Sequence, residues 1–441
     1  MKNILVIGAG RSASCLIKYL LDNSAAENWT VTVADVSLEL VKQKTAGHAN
    51  ARAIAFDIHN DQQRAEEIQR ADIVISMLPA FMHLEVAKDC VKYKKHLATA
   101  SYVSKEMKDL DEDARGAGII LMNEIGLDPG IDHASAMKVI DHIHAEGGKL
   151  TSFKSYCGGL VAPESNDNPW GYKFSWNPRN VVLAGQGTAQ LIENGCYKYI
   201  PYNRLFMQTT AVEVDGHGMF EAYANRDSLS YRKLYDLENI PTMLRGTLRM
   251  PGYCKAWNVF VKLGLTDDTY KIEASETLTY KQLVEAYLPA GTESTKEKLI
   301  AFMGTEMDAE TLSRIEWLGV FGDRKIRLAD ASPAQVLQDL LEEKWLLKEN
   351  DKDMIVMQHQ FKFNNKGKDR EIISSLVVTG TDQVYTAMAK TVGLPLAITC
   401  KLILQGKIKA RGVVIPTTKE IYDPVLAELE AYGVRFEEKE V

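Results

Sequence analysis

The chain has 441 residues, 46% of them hydrophobic and 25% charged, ordinary proportions for a folded globular protein and enough chain for two or three domains. A formal net charge of −7 argues against a general nucleic-acid binder, which would carry a basic face, but leaves room for a local basic pocket. No apolar run approaches the roughly 20 residues that cross a bilayer. Six scattered cysteines without a CxxC pair suit the reduced thiols of a cytoplasmic protein. His142 and His144 lie two apart on an expected helix, a poor metal pair, and no metal site is expected.

In chain order, the first 126 residues alternate apolar runs with helical patterns. Buried parallel strands are expected at 3–8, 29–35, 53–58, 72–78, 96–101 and 119–123. Helices are expected over 12–21, 61–70, 84–93 and 104–116. The opening Met-Lys-Asn leads straight into the first strand, too short a lead for a signal peptide. This alternation means right-handed βαβ units and a covered parallel sheet, an N-terminal Rossmann dinucleotide-binding domain. A turn at 126–130 precedes an amphipathic helix from about Ile131 to Glu146. Strand-like stretches at 151–156, 211–214, 220–223 and 244–250 then suggest a mixed α+β substrate domain. Residues 254–351 are rich in Leu, Glu and Lys at helical spacing, with Val336, Leu337, Leu340 and Leu341 as one stripe, and read as an inserted, mostly helical domain. Strands at 354–363 and 371–379 flank Asn-Asn-Lys-Gly, a hairpin signal. A last helix over 383–404 precedes a charged tail. The expected class is α/β, divided as 1–126 joined by 383–441, 127–253 with 352–382, and 254–351.

Gly8-Ala9-Gly10-Arg11-Ser12-Ala13 fits G-x-G-x-x-A between the first strand and first helix. The first glycine permits the tight turn, the second lets backbone approach a pyrophosphate, and Ala13 lets the helix sit close to the sheet. The helix N-terminus offers free N–H groups to the phosphates. Asp35, 27 residues after Gly8, ends the second strand, where a carboxylate accepts from the ribose hydroxyls and repels a 2′-phosphate. No cation follows in Asp35-Val36-Ser37 before Lys42, so NAD is the expected cofactor. By the rule that ligands bind at the carboxyl ends of strands, Asp57 and Ile58 would flank the adenine, and Ser76 and Leu78 the nicotinamide.

Beyond this half lie Asn123-Glu124-Ile125-Gly126-Leu127-Asp128-Pro129-Gly130-Ile131-Asp132-His133, Ser155-Tyr156-Cys157-Gly158-Gly159-Leu160 and Gly171-Tyr172-Lys173-Phe174-Ser175-Trp176. Asn225-Arg226-Asp227-Ser228 and Arg245-Gly246-Thr247-Leu248-Arg249 follow. Together, in this order and over nearly the whole chain, they resemble the glutamate-forming saccharopine dehydrogenase family, also called saccharopine reductase. The resemblance implies oxidation of the secondary amine of saccharopine, with release of glutamate and 2-aminoadipate 6-semialdehyde, or the reverse, in lysine metabolism.

Saccharopine carries three carboxylates, so its site needs fixed cations, preferably the forked donors of arginine. On a strand, Arg245, Thr247 and Arg249 share a face, and Arg226 follows a separate strand. Structural ion pairs are the other reading of these arginines; the resemblance favours Arg226 and Arg249 as substrate ligands, with Thr247, Leu248, Ser101 and Tyr102 beside them. Hydride leaves only after the ammonium has lost its proton, which calls for acid–base groups. The resemblance points to Asp128, Cys157 and Tyr102 for this work. Asp128 also reads as a turn cap before Pro129 and Cys157 as a small buried hydrophobe. Leu127, Asp128, Pro129 and Ser175, from the same motifs, are expected on the cofactor side. Three alternatives remain: an NADP-dependent reductase of lysine biosynthesis, a carboxynorspermidine dehydrogenase, and a non-catalytic nucleotide sensor on the same frame. The expected partner is a small molecule, with no nucleic acid and no membrane, and a homodimer is possible.

Overall fold

A computed structural model describes all 441 residues. Its strands, in chain order, are β1 (Lys2–Ile7), β2 (Trp29–Asp35), β3 (Ala51–Ala55), β4 (Ile73–Ser76), β5 (His96–Thr99), β6 (Ile120–Met122), β7 (Lys149–Val161) and β8 (Thr188–Glu193). Then follow β9 (Cys196–Pro201), β10 (Thr210–Val214), β11 (Gly218–Ala224), β12 (Thr242–Arg249), β13 (Asp353–Asn365), β14 (Lys368–Thr379), β15 (Gly412–Val414) and β16 (Glu437–Glu440). The chain divides into two compact units, Met1–Leu150 with Phe363–Arg370 and Leu376–Val441, and Thr151–Lys362 with Glu371–Ser375.

The first unit holds a parallel sheet in the order β15-β6-β5-β4-β1-β2-β3. Ile4, Leu5, Val6 and Ile7 are all within 1% of full burial, because helices cover both faces of the sheet, and this gives a continuous apolar run rather than alternation. Chain order reverses beside β1, which pairs with β2 on one side and β4 on the other. Helix starts are set locally: Ser37, Asn60 and Ser104 accept from the amides of Leu40, Gln63 and Met107, the side-chain capping that exposed first-turn amides require. The expected helix over 104–116 is broken at Asp109–Leu110 into Lys105–Lys108 and Asp111–Ala117.

Two expectations need correction here. The charged tail is ordered structure: β15 extends the sheet beside β6, and Lys419–Ala431 is a helix burying Ile421, Tyr422, Val425, Leu426 and Leu429. The preceding helix, Ala387–Leu404, has 18 residues and a mean hydropathy of 1.5, long and apolar enough to cross a membrane, but 78% of it is buried in the protein. Gly393 lets it lie on the first helix, since a Cβ there would stand 2.8 Å from the Leu16 amide nitrogen. The helix Ile131–Ala145, expected with the substrate domain, belongs to the first unit, where its Asp141 Oδ2 accepts from the Tyr422 hydroxyl at 2.5 Å.

The second unit is built on a mixed sheet. β10, β11 and β12 are antiparallel neighbours, β12 runs parallel to β7, and β8 forms a hairpin with β9, which the sequence did not announce. The helical stretch 254–351 is not a body of its own. Trp257 and Trp345 share one aromatic core with Trp170, Tyr172 and Tyr253, with Trp170 and Trp345 centroids 5.3 Å apart. These rings are too large to be covered by the helices alone, so sheet and helices fold around the same apolar volume. Trp345 is fully buried, and Trp345→Ala should destabilise this unit by about 3–5 kcal/mol, seen as a lower urea midpoint by tryptophan-independent circular dichroism.

Candidate active site

The glycine turn between β1 and the first helix has the shape a dinucleotide needs. Gly8 has φ +103°, and a Cβ there would lie 3.0 Å from the Met77 carbonyl oxygen, so only glycine fits. At Gly10 an added Cβ would meet no protein atom within 4 Å, leaving the backbone open to an outside group. Arg11 and Ser12 begin the helical turn, where amides have no intrahelical acceptor, and Ala13 is buried against the sheet. The residues present thus fit a pyrophosphate.

Asp35 does two jobs at the end of β2. Its Oδ2 accepts from the Ala9 amide at 2.8 Å and its Oδ1 from the Ser37 amide at 3.0 Å, which ties the end of β2 to the glycine turn. Val36 is 78% exposed beside it. Asp57 closes its own turn by accepting from the His59 amide, and Ile58 is buried next to it. At the ends of β4 and β5 a buried imidazole joins three hydroxyls. His83 Nδ1 is 2.8 Å from Ser76 Oγ, and His83 Nε2 is 2.7 Å from Ser101 Oγ and 3.2 Å from Thr99 Oγ1. Burial pushes the His83 pKa down to about 4, so the ring is neutral near pH 7. Leu78 is half-buried just beyond Ser76.

The loop after β6 carries Asp128. The Tyr102 hydroxyl donates to Asp128 Oδ1 at 3.2 Å. Glu124 links the neighbouring segments: its Oε1 accepts from the amide of Val103, next to Tyr102, at 2.9 Å, and its Oε2 lies 2.8 Å from His133 Nε2. Asp132 Oδ1 accepts from the Gly130 amide at 2.6 Å. Leu127 and Pro129 are buried on either side of Asp128.

In the second unit, Tyr223, Thr247 and Cys157 stand abreast on three neighbouring strands. Directly paired residues share a sheet face, and Arg245 and Arg249 flank Thr247 on that face at the two-residue period. The Arg249 guanidinium lies over the rings of Tyr172, Tyr223 and Tyr253 at 5.2, 5.7 and 5.3 Å. It donates to the Leu248 carbonyl and the Tyr223 hydroxyl. Its Nε is buried without a partner, and no acidic side chain pairs with it. Burial raises the three tyrosine pKa values, so all remain protonated. Arg245 stacks on Tyr231 at 4.3 Å, and Thr247 Oγ1 donates to Asn225 at 2.6 Å. Arg226, on the loop after β11, is exposed, and Ser175 is buried beside Phe174. The sequence reading missed His83, Glu124 and the tyrosine cage. Glu124 and Tyr172 lay inside singled-out motifs; the others are ordinary core residues until the sheet is assembled.

The glycine turn of the parallel-sheet unit is that of a nicotinamide-dinucleotide-binding oxidoreductase. Residues 4–122 match the family model "Saccharopine dehydrogenase NADP binding domain", and 126–434 the model "Saccharopine dehydrogenase C-terminal domain". The chain belongs to the saccharopine dehydrogenase family. It is 37% identical over 451 residues to a Pyricularia oryzae protein named saccharopine dehydrogenase (NADP(+), L-glutamate-forming), covering 100% of this chain and 99% of that one. A mouse mitochondrial alpha-aminoadipic semialdehyde synthase is 36% identical, covering 99% of this chain and 47% of its own length. The apo saccharopine dehydrogenase (L-Glu forming) of Saccharomyces cerevisiae superposes with a TM-score of 0.90 at 36% identity, covering both chains fully. A Legionella pneumophila homospermidine synthase, at 9% identity and TM-score 0.59, shares the fold alone, covering 100% of this chain and 91% of that one.

Because a Cβ at Gly10 touches nothing in the protein, Gly10→Val should leave the melting temperature unchanged. It should weaken NADH or NADPH binding by about tenfold or more, measured by quenching of the reduced nucleotide's fluorescence.

Proposed function

We propose that the chain is an NAD-linked, glutamate-forming saccharopine dehydrogenase working in lysine breakdown. The observation that carries the substrate class is Arg249, a guanidinium buried without a counter-ion. An uncompensated buried charge costs several kcal/mol, and a substrate carboxylate seated in the tyrosine cage removes that cost. Arg245, Thr247 and Arg226 supply further donors for a tricarboxylic amine. A polyamine conjugate, as in carboxynorspermidine, would call for acidic residues where these arginines lie.

Gly8 and Gly10 shape the turn, in which the amides of Arg11 and Ser12 would hold a pyrophosphate and Asp35 would receive the ribose hydroxyls. An oxidised nicotinamide held there would supply the acceptor for the hydride on the carbon next to the secondary amine. Asp128, hydrogen-bonded to Tyr102, takes the ammonium proton that must leave first. Cys157, beside Thr247 on the carboxylate-binding face, serves as a second proton acceptor when water adds to the imine. The NAD preference rests on Asp35, whose charge opposes a 2′-phosphate. NADP is the second reading, favoured by the names of the fungal relatives and of the N-terminal family model.

Absorbance at 340 nm with saccharopine and either nucleotide tests substrate and cofactor together. Turnover should be faster with NAD, and Asp35→Ala should narrow the gap by raising activity with NADP. No turnover with either nucleotide would remove the substrate assignment. Asp128→Ala should lower kcat by about 100-fold with the fold intact, the usual size of general acid–base help. Arg249→Lys should raise the KM for saccharopine by about tenfold or more, since a lysine lacks the forked donors; an unchanged KM would take Arg249 out of substrate binding.

A further inference from the structure

We infer that Phe81 is a nucleotide-binding residue whose phenyl ring stacks on the adenine of the bound dinucleotide, facing Val36 across the base. The inference rests on the nucleotide site proposed above and names what grips the base there.

No large apolar side chain in the protein is more exposed than Val36, at 78%, and Phe81, at 77%. Both stand on loops that leave the carboxyl ends of the two strands flanking β1. Val36 follows β2 directly, and Phe81 lies in the short helical turn Ala80–Met82 after β4. A single exposed apolar residue is ordinary on any surface. Here the two most exposed ones are not scattered: they border the glycine turn on either side, where a ligand of a doubly wound sheet lies. A phenyl ring held in water at that place gains its burial only when something flat and apolar arrives.

Position favours the adenine over the nicotinamide. Met82, next to Phe81, and Leu78 pack against the same apolar cluster as Phe56 and Ile58, just past the end of β3. The Arg64 guanidinium strengthens that side, donating to the Ile58 carbonyl at 2.7 Å and to Asp89 Oδ2 at 2.7 Å. The β3 end is thereby tied to the helix His83–Tyr93, which Phe81 directly precedes. Phe81 therefore belongs with the ends of β2 and β3, beside Asp35, and not with the loops after β5 and β6 that carry Tyr102 and Asp128. β2 and β4 are second neighbours in the sheet, so their ends lie roughly 10 Å apart. One planar heterocycle with a side chain at about 3.5 Å from each face fills such a gap. The stack is the same for NAD and NADP, because both carry the adenine.

Fluorescence titrations of the full-length protein with NADH and NADPH provide the test. The competitor is ADP-ribose, or its 2′-phosphate where NADPH binds tighter, which keeps the adenine and pyrophosphate but lacks the nicotinamide. Phe81→Ala should weaken the tighter reduced nucleotide by about tenfold or more, the usual size of one aromatic stack on a base. It should weaken the competitor by the same factor and leave the melting temperature unchanged, since the ring supports no packing of its own. Phe81→Tyr keeps the ring and should bind both within about threefold of the parent. Unchanged binding in Phe81→Ala would overturn the inference, as would an equal loss in Phe81→Tyr. A loss confined to the reduced nucleotide, or a parent that ignores the competitor, would move the ring away from the adenine and also overturn it. So would a lowered melting temperature in Phe81→Ala, which would make the ring part of the fold. A parent that binds nucleotide but never oxidises saccharopine would instead sink the substrate assignment and leave the Phe81 comparison standing. A parent that binds no reduced nucleotide would fail the site itself before any variant is made.

Discussion

The reversal of chain order at β1 is the constraint from which the first unit's chemistry follows. β2 and β3 extend the sheet to one side and β4, β5 and β6 to the other, so the loops leaving β1 and β4 part from each other at their carboxyl ends. Gly8 is forced at that parting because its Cα approaches the Met77 backbone too closely for a side chain. The bond from the Ala9 amide to Asp35 joins the same turn to the end of β2. The Ser76–His83–Ser101 chain occupies the β4 and β5 ends, and the Tyr102–Asp128 pair follows directly. Every one of these groups is held by a parallel strand end or by the loop it starts.

The second unit solves a different problem, keeping a charge inside an aromatic core. Arg249 has three tyrosine rings around it and hydroxyl and carbonyl oxygens to donate to, but no carboxylate. Ring faces compensate a cation only in part, by roughly 2 kcal/mol when desolvated. Stability is thus given up locally, and the large core of Trp170, Trp257 and Trp345 behind the cage offsets it. Contrast Lys173, equally buried but paired with Asp167 and Asp351 at 2.8 and 2.6 Å: that lysine is neutralised within the fold, and Arg249 is not.

Within the family, the corner that meets the adenosine ribose is where this chain invites comparison with its NADP(+)-named relatives. Asp35 is not a spectator there. It is hydrogen-bonded to two backbone amides, which fixes its carboxylate beside the glycine turn instead of leaving it free to swing aside.

The sequence by itself determined the Rossmann unit, because buried parallel strands are continuous apolar runs and G-x-G-x-x-A has one backbone shape that explains it. It also marked Asp128, Cys157, Arg249 and their motifs, though as separate words without geometry. The last helix escaped notice: Ile421, Val425 and Leu429 form a stripe at four-residue spacing, but the charges around them read as a solvated tail. Tertiary structure alone decided that residues 254–351 share a core with the mixed sheet, since an apolar stripe does not say which surface will cover it. It alone decided that Arg249 has no internal counter-ion and that Arg245 rests on Tyr231. Likewise His83 looked like any helix residue until β4 and β5 placed Ser76, Thr99 and Ser101 around its ring. Periodicity and turn chemistry are local and can be read along the chain, whereas charge compensation and hydrogen-bond direction depend on neighbours that are distant in sequence.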